Sequence, residues 1–322
     1  MSLDTIYEPI QEDLVEVESR LRVLAGVSYP RLARLLGQSL GGGGKRIRPA
    51  LVLLSGRFYR YDLECLLPMA LAVEVLHTAT LVHDDAIDHS PLRRGSPTIN
   101  QVWGEDKAIL LGDYLLAQAE ELVSQTQNLR VVSLFARAIM TLASGELAQA
   151  FSAFNLELSR EQYFARIAAK TASLITLATE SGAILSRAPE RVVTALKDYG
   201  YNLGIAFQIV DDILDFIGDE AEMGKPTASD LSEGTLTLPA MMVLARYPSQ
   251  NPIRRLFSHE GDKEQNIRLA LELVISSGVL EECYQLAQDY SARACTSLEP
   301  LPVSPARKSL EELAQYVVAR KK

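Results

Sequence analysis

The pattern D-D-x-x-D occurs twice in this chain, as Asp84-Asp85-Ala86-Ile87-Asp88 and as Asp211-Asp212-Ile213-Leu214-Asp215. Helical residues four apart share a face, with Cβ atoms roughly 5–6 Å apart. Each copy therefore turns its first and fifth carboxylates the same way. Two unit charges at that spacing repel by about 3 kcal/mol at an effective dielectric near 20. Such clusters need counter-cations. An all-oxygen ligand set suits Mg2+, which takes a few carboxylates together with substrate phosphates. Acidic runs usually mark solvated helix faces. That explanation fits poorly here, because residues 76–82 are mostly apolar and the second copy sits between apolar residues 205–210 and 216–217. Two such copies point to a lined cavity with acids at its mouth.

Basic residues occur around both candidate sites. Gly41-Gly42-Gly43-Gly44-Lys45-Arg46-Ile47-Arg48-Pro49 is not a nucleotide-binding P-loop: Ser39 stands where the first glycine is required, and Arg46 where Ser or Thr should follow the lysine. Its glycines still free the backbone to bend and to turn N–H groups toward an anion, with Lys45 and Arg48 adding charge. Arg93-Arg94-Gly95 sets two planar donors just beyond the first motif. Arginine pairs bidentately with phosphate, so this pair beside a metal site suits a diphosphate. Lys170-Thr171 and Lys225 are weaker signals, since a lone lysine is usually solvated. His77 reads as a core histidine, and His83 and His89 lack metal-ligand spacing.

Helices must position these groups. Ile6, Ile10, Leu14, Val17, Leu21 and Leu24 recur at intervals of three and four, which marks an amphipathic helix. No proline interrupts the helical period between Pro97 and Pro189, and Asp113 reads as an N-cap inside that span. Hairpin signals are weak. The expectation is an all-α protein, a single domain over residues 1–322. Net charge is −9, from 41 acidic and 32 basic residues, which argues against nucleic-acid binding. Cys65, Cys283 and Cys295 form no C-x-x-C and suggest reduced thiols in the cytoplasm. The acidic start does not read as a signal peptide, and no apolar run is expected to span a membrane.

Together these elements resemble the trans-isoprenyl diphosphate synthase, or polyprenyl synthase, family. The matching pieces are GGGKRIRP at 42–49, HTATLVHDDAIDHSPLRRG at 77–95, GDYLLAQA at 112–119, KTASL at 170–174, FQIVDDILDF at 207–216, GKP at 224–226 and DLSEGTLTLP at 230–239. They run in order through about two thirds of the chain. The resemblance implies a bundle of long helices around a deep central cavity, usually a homodimer. It implies head-to-tail condensation of isopentenyl diphosphate onto an allylic diphosphate. Asp84 and Asp88 would bind two Mg2+ ions, with Asp85 in support. Asp211 would bind a third, assisted by Asp212 and Asp215. Arg93, Lys170 and Lys225 would hold the allylic diphosphate, and Lys45, Arg48, His77 and Arg94 the isopentenyl diphosphate. Thr171 and Gln208 would lie along the reacting carbons.

Two departures stand out. Many relatives carry lysine where this chain has Thr235, and the first motif is the compact form, which is similar to that of longer-chain synthases. Small residues before the first motif agree. Ala79 and Thr80 lie one turn upstream, with Leu76 deeper, so no aromatic wall is expected to stop growth there. The product is expected to exceed farnesyl and geranylgeranyl length, unless Tyr114, Phe135 or Phe151 closes the pocket from another helix. A terpene cyclase fits less well, because Asp215 and Asp219 stand where its second motif needs Ser/Thr and Glu. A non-catalytic partner subunit would be expected to have lost acidic residues. A metal-dependent phosphohydrolase would release phosphate without joining carbons.

Overall fold

The computed structural model describes residues 2–41, 44–93, 95–218 and 227–320. The chain begins with α1 (Leu3–Ile6) and a 3-10 turn (Glu8–Ile10), then runs through α2 (Gln11–Leu24), α3 (Pro30–Leu40), α4 (Ile47–Gly56) and α5 (Leu63–Ile87). A small antiparallel hairpin, β1 (Leu92–Arg93) with β2 (Ser96–Pro97), pairs Arg93 with Ser96. Next come α6 (Ile99–Trp103), α7 (Glu105–Gln125), α8 (Leu129–Phe151), α9 (Arg160–Ile167), α10 (Ser173–Leu185) and α11 (Glu190–Ile217). The last described helices are α12 (Ser229–Ser232), α13 (Leu238–Arg246), α14 (Pro252–Phe257), α15 (Lys263–Ser276), α16 (Val279–Ser297) and α17 (Pro305–Ala319).

Helix α5 is the central element. Asp62 caps its start by accepting from the Glu64 amide. Apolar residues cover it almost all round, the signature of a helix enclosed by others. It packs on α4, α7 and α10, while α11 packs on α10 and α16. The first motif thus ends one enclosed helix and the second ends another. A smaller core formed by Phe216, Leu231, Val243, Ile253 and Phe257 supports the stretch after the second motif.

Several expectations change. The N-terminal amphipathic run is broken: Pro9 sits in the 3-10 turn, and α2 begins only at Gln11. Ile6, Ile10, Val17 and Leu21 nevertheless share one buried face. Asp113 is not an N-cap. It lies inside α7, whose cap is Gly104, and its carboxylate stands 3.4 Å from His83 Nε2. Gly112 permits this crossing, since a Cβ there would lie 2.1 Å from the same nitrogen. The expectation of no membrane span is not among these changes: among the described residues, α5 and α8 are long and apolar enough to cross a membrane, a test that enclosed core helices also pass. Most of α5 is enclosed by protein. Much of α8 is open, with Leu129, Met140, Leu147 and Phe151 exposed.

Candidate active site

The first acidic motif closes α5. Asp84 and Asp85 occupy its last turn, and Asp88 is the C-cap, its amide donating to Asp84 O at 2.8 Å. Carboxylates at a helix C-terminus oppose the macrodipole, and no basic residue in that turn relieves them. The placement costs stability, as expected of groups held for binding.

The three side chains have different surroundings. Asp85 is buried, and Arg93 from β1 clasps it: Nε lies 2.9 Å from each oxygen and Nη2 2.8 Å from Oδ1. Asp84 is half-buried and Asp88 exposed. Burial pushes Asp84 up to about 6; the Lys170 charge opposes this, while Glu146 and Asp88 add to it. Burial also raises Asp88, again against Lys170 and with Glu146. Lys170 Nζ lies 3.0 Å from Glu146 Oε1. Burial disfavours the Lys170 charge, but Asp84 and Glu146 outweigh it and raise the ammonium above its ordinary value.

Lys170 and Thr171 lie in a π-helical stretch, Ala168–Ala172, inserted between α9 and α10. Such bulges re-aim side chains within a helix and are frequent at functional sites. Helix α11 approaches this stretch closely because residue 204 is glycine: a Cβ there would sit 2.4 Å from Ala172 Cα. The approach brings Thr171 Oγ1 to donate to Gln208 Oε1 at 2.5 Å. Gln208 Nε2 in turn donates to Asp212 Oδ1 at 2.8 Å, and the buried Tyr163 hydroxyl donates to Asp212 Oδ2 at 2.7 Å. Lys170 therefore faces the first motif, and its neighbour Thr171 is bonded to the helix that carries the second.

Within the second motif, only Asp211 is substantially open. Its side chain is 40% exposed and pairs with Arg320, Nη2 to Oδ1, at 2.7 Å. Arg320 Nη2 also donates to Phe207 O at 2.7 Å, and the guanidinium sits 3.8 Å from the Phe207 ring centroid. Asp212 is 3% exposed, and burial pushes it up to about 7, with Asp230 adding to the rise and Gln208 and Tyr163 opposing it. Asp215 is buried and accepts from Ser229 Oγ at 2.8 Å and the Asp230 amide at 3.3 Å. The first and fifth carboxylates of this copy thus do not share one exposed face, because the fifth is drawn into the α12 segment.

The expected isopentenyl site is partly in view. Lys45 is exposed just before α4, with its carbonyl accepting from Tyr7 Oη at 2.8 Å and its Nζ 5.9 Å from the Tyr316 ring centroid. Arg48 lies half-buried in the first turn of α4, and His77 half-buried on α5, which packs on α4. Arg46 turns the other way, bonded to Glu18 at 2.5 Å and Glu74 at 2.6 Å. Arg94 and Lys225 lie outside the described residues. Leu76 and Ala79 are buried, and Thr80 is half-buried with its hydroxyl donating to His77 O at 2.8 Å. Of the aromatics that could close the tail pocket, Phe135 is buried, whereas Phe151 is 87% exposed. A groove of about 560 Å3 between α8 and α9 contains none of the expected site residues.

Glu146, Tyr163 and Arg320 join this site without having been anticipated. Glu146 follows a mid-helix glycine, and Tyr163 lies two turns before Lys170, both faint signals. Arg320 gives none, since a base beside further bases reads as solvated.

Among the described residues, no three Asp, Glu, His or Cys side chains converge tightly enough to hold a metal alone. Asp84 and Asp88 do stand one helical turn apart at the end of α5, and burial raises both above the ordinary carboxylate value. That fits Mg2+, which completes its shell with water and substrate oxygens.

An all-α scaffold that sets two aspartate motifs on either side of a lysine–threonine pair defines a protein of the prenyl-synthase class. The chain belongs to the polyprenyl synthetase family, whose family model matches residues 29–274, and it is a prenyltransferase. It is 36% identical to solanesyl-diphosphate synthase 2, chloroplastic, of Oryza sativa subsp. japonica, covering 99% of this chain and 80% of that protein. It is 37% identical to heptaprenyl diphosphate synthase component 2 of Geobacillus stearothermophilus, covering 99% of each. The crystal structure of polyprenyl synthase from Caulobacter crescentus CB15, complexed with calcium and isoprenyl diphosphate, superposes with a TM-score of 0.95 at 35% identity, covering 100% of this chain and 98% of that one.

Proposed function

We propose that this chain, as a single domain, adds isopentenyl diphosphate head-to-tail to an allylic diphosphate, repeatedly, to give an all-trans polyprenyl diphosphate longer than C20. The observation that carries this reading is the Lys170–Thr171 pair, the lysine charge felt by Asp84 and Asp88 of the first acid cluster and the threonine bonded through Gln208 to Asp212 of the second. The names of the relatives support a long product, as do the small side chains at Ala79 and Thr80.

Asp84 and Asp88 on one side and Asp211 on the other are the residues that would hold magnesium, three ions by the family's pattern. The metal would stabilise negative charge gathering on the allylic diphosphate. Lys170, Arg93 and Lys225 hold that diphosphate, and Lys45, Arg48, His77 and Arg94 hold the isopentenyl one. As the allylic C–O bond breaks, its electron pair leaves with diphosphate. Thr171 and Gln208 turn oxygen lone pairs toward the carbon cation. The isopentenyl double bond then forms the new C–C bond, and the departed diphosphate accepts the proton that restores an alkene. Positioning both substrates in one site replaces an improbable encounter. Excluding water protects the cation.

A homodimer in the cytoplasm is part of the proposal. The exposed apolar residues of α8, together with Ile109 and Leu110 of α7, favour a covered face there. Product release at a membrane surface would suit so long a hydrocarbon. The relative named component 2 favours a second reading, in which the chain needs a different subunit. Purified chain, Mg2+, labelled isopentenyl diphosphate and primers of several lengths test both. Dephosphorylated polyprenols beyond C20 from the chain alone are expected. Free phosphate without elongation would refute the reaction, and activity only with a second protein would favour the heteromer.

A further inference from the structure

Both oxygens of Asp212 accept in the Thr171–Gln208–Asp212–Tyr163 chain: the NH2 edge of Gln208 donates to Oδ1 at 2.8 Å, and the Tyr163 hydroxyl donates to Oδ2 at 2.7 Å. The Gln208 carbonyl oxygen then faces Thr171 and takes its only hydroxyl hydrogen. With that hydrogen committed, the remaining lone pairs of Thr171 and Gln208 face outward from the chain of bonds. If the amide were reversed, its NH2 edge would face Thr171, and a positive dipole end would stand beside the reacting carbons.

We propose that Asp212 and Tyr163 are positioning residues that hold the Gln208 amide in the cation-stabilising orientation, and that Asp212 acts through this bond rather than through metal. The inference rests on the prenyl-transfer reading above and deepens it. Burial separates Asp212 from its neighbour. Asp212 is 3% exposed and faces Tyr163, itself fully buried, whereas Asp211 is 40% exposed. Arg166 is buried nearby, its guanidinium 5.6 Å from the Tyr163 ring centroid and its Nη2 donating to Leu236 O at 2.7 Å.

The test compares Asp212→Asn, Tyr163→Phe and Asp211→Asn by steady-state kinetics. Alongside, calorimetry follows Mg2+ binding with an unreactive allylic thiodiphosphate. The side-chain amide introduced by Asp212→Asn can both donate and accept, so it no longer dictates which way Gln208 faces. For Asp212→Asn, kcat is expected to fall about a hundredfold, the size of effect seen when one oriented dipole is lost. For Tyr163→Phe the expected fall is about five- to tenfold, through the loss of one of two bonds on Asp212. In both, KM for each substrate and the Mg2+ affinity should stay within about twofold of wild type, because no binding contact is removed. Asp211→Asn should weaken Mg2+ instead. Combining Tyr163→Phe with Asp212→Asn should add little further loss, as expected of residues acting as a unit. Mg2+ binding weakened by Asp212→Asn as much as by Asp211→Asn would overturn the inference, as would an unchanged kcat in either network variant. If Asp212→Asn does not fold, Tyr163→Phe decides by the same split. A wild-type chain that binds both diphosphates yet joins no carbons overturns the function reading, and this inference with it.

Discussion

Arg93 grips Asp85 with two nitrogens: Nε is 2.9 Å from both carboxylate oxygens, and Nη2 is 2.8 Å from one of them. The middle acid of the first motif is therefore engaged in aiming an arginine, while its neighbours Asp84 and Asp88 are left for cations. Asp85→Asn would keep the shape and lose the charge. The expected outcome is a five- to tenfold rise, roughly, in KM for the allylic diphosphate, with a smaller change in kcat. Because Arg93 is 39% exposed, the stability loss should be modest, about 1–2 kcal/mol. Kinetics with varied primer concentration and urea denaturation check the two halves.

Asp84 carries a pH-dependent cost. Its ordinary value is 3.8, and folding moves it to about 6. Between those values the folded chain binds more protons than the unfolded one, so stability from this group falls as pH rises through that window and is level above it. Asp84→Asn removes the penalty. Metal-free Asp84→Asn should exceed wild type by up to about 3 kcal/mol near pH 8 and match it near pH 4, while losing nearly all activity. Urea melts at the two pH values decide this, and a variant less stable near pH 8 would contradict the assignment.

Gly204 is where α11 leans on the π-helical stretch. A methyl there would lie 2.4 Å from Ala172 Cα and 2.7 Å from Ala172 Cβ. Backbone must move to admit it, at about 1–3 kcal/mol, which outweighs the gain of roughly 1 kcal/mol from replacing glycine in a helix. Gly204→Ala should melt lower and lose kcat, because Lys170 and Thr171 move with the stretch. A variant more stable and fully active would show that the contact does not fix the site.

Arg320 Nη2 pairs with Asp211 Oδ1 at 2.7 Å and so is placed to rival a metal for that carboxylate. Arg320→Ala should lower the Mg2+ concentration for half-maximal activity about two- to fivefold, by removing the rival cation. A Mg2+ titration of the rate is the measurement, and a raised requirement would mean that the arginine assists rather than competes.

Ala79 is 2% exposed, one turn before the first motif. Ala79→Tyr should shorten the product while leaving the first condensation intact, at a packing cost of about 1–3 kcal/mol. Chromatography of the dephosphorylated alcohols reads the length. Products as long as those of the parent would place the wall elsewhere.

Much of the architecture could be read from spacing. The intervals between Pro97 and Pro189 predict helices, and helices stand there. Both aspartate motifs predict helices in apolar surroundings, and α5 and α11 supply them. Local periodicity reports which face is buried, because burial selects apolar residues at the helical repeat. It misjudged Asp113, a good cap by type: α7 runs on through it, and its carboxylate stands 3.4 Å from His83, which a different helix packs against Gly112.

The sequence by itself determined the chemical inventory: two carboxylate clusters, the bases near them, and an apolar frame able to enclose both. Residue types and spacing along one helix carry that information, since each depends only on near neighbours. Tertiary structure alone decided how similar residues divide their labour. Asp211 and Asp212 are adjacent and identical in type, yet one meets solvent and Arg320 while the other meets Tyr163 and Gln208. Successive residues on a helix point about 100° apart, so what each one meets is set by the helices packed around it.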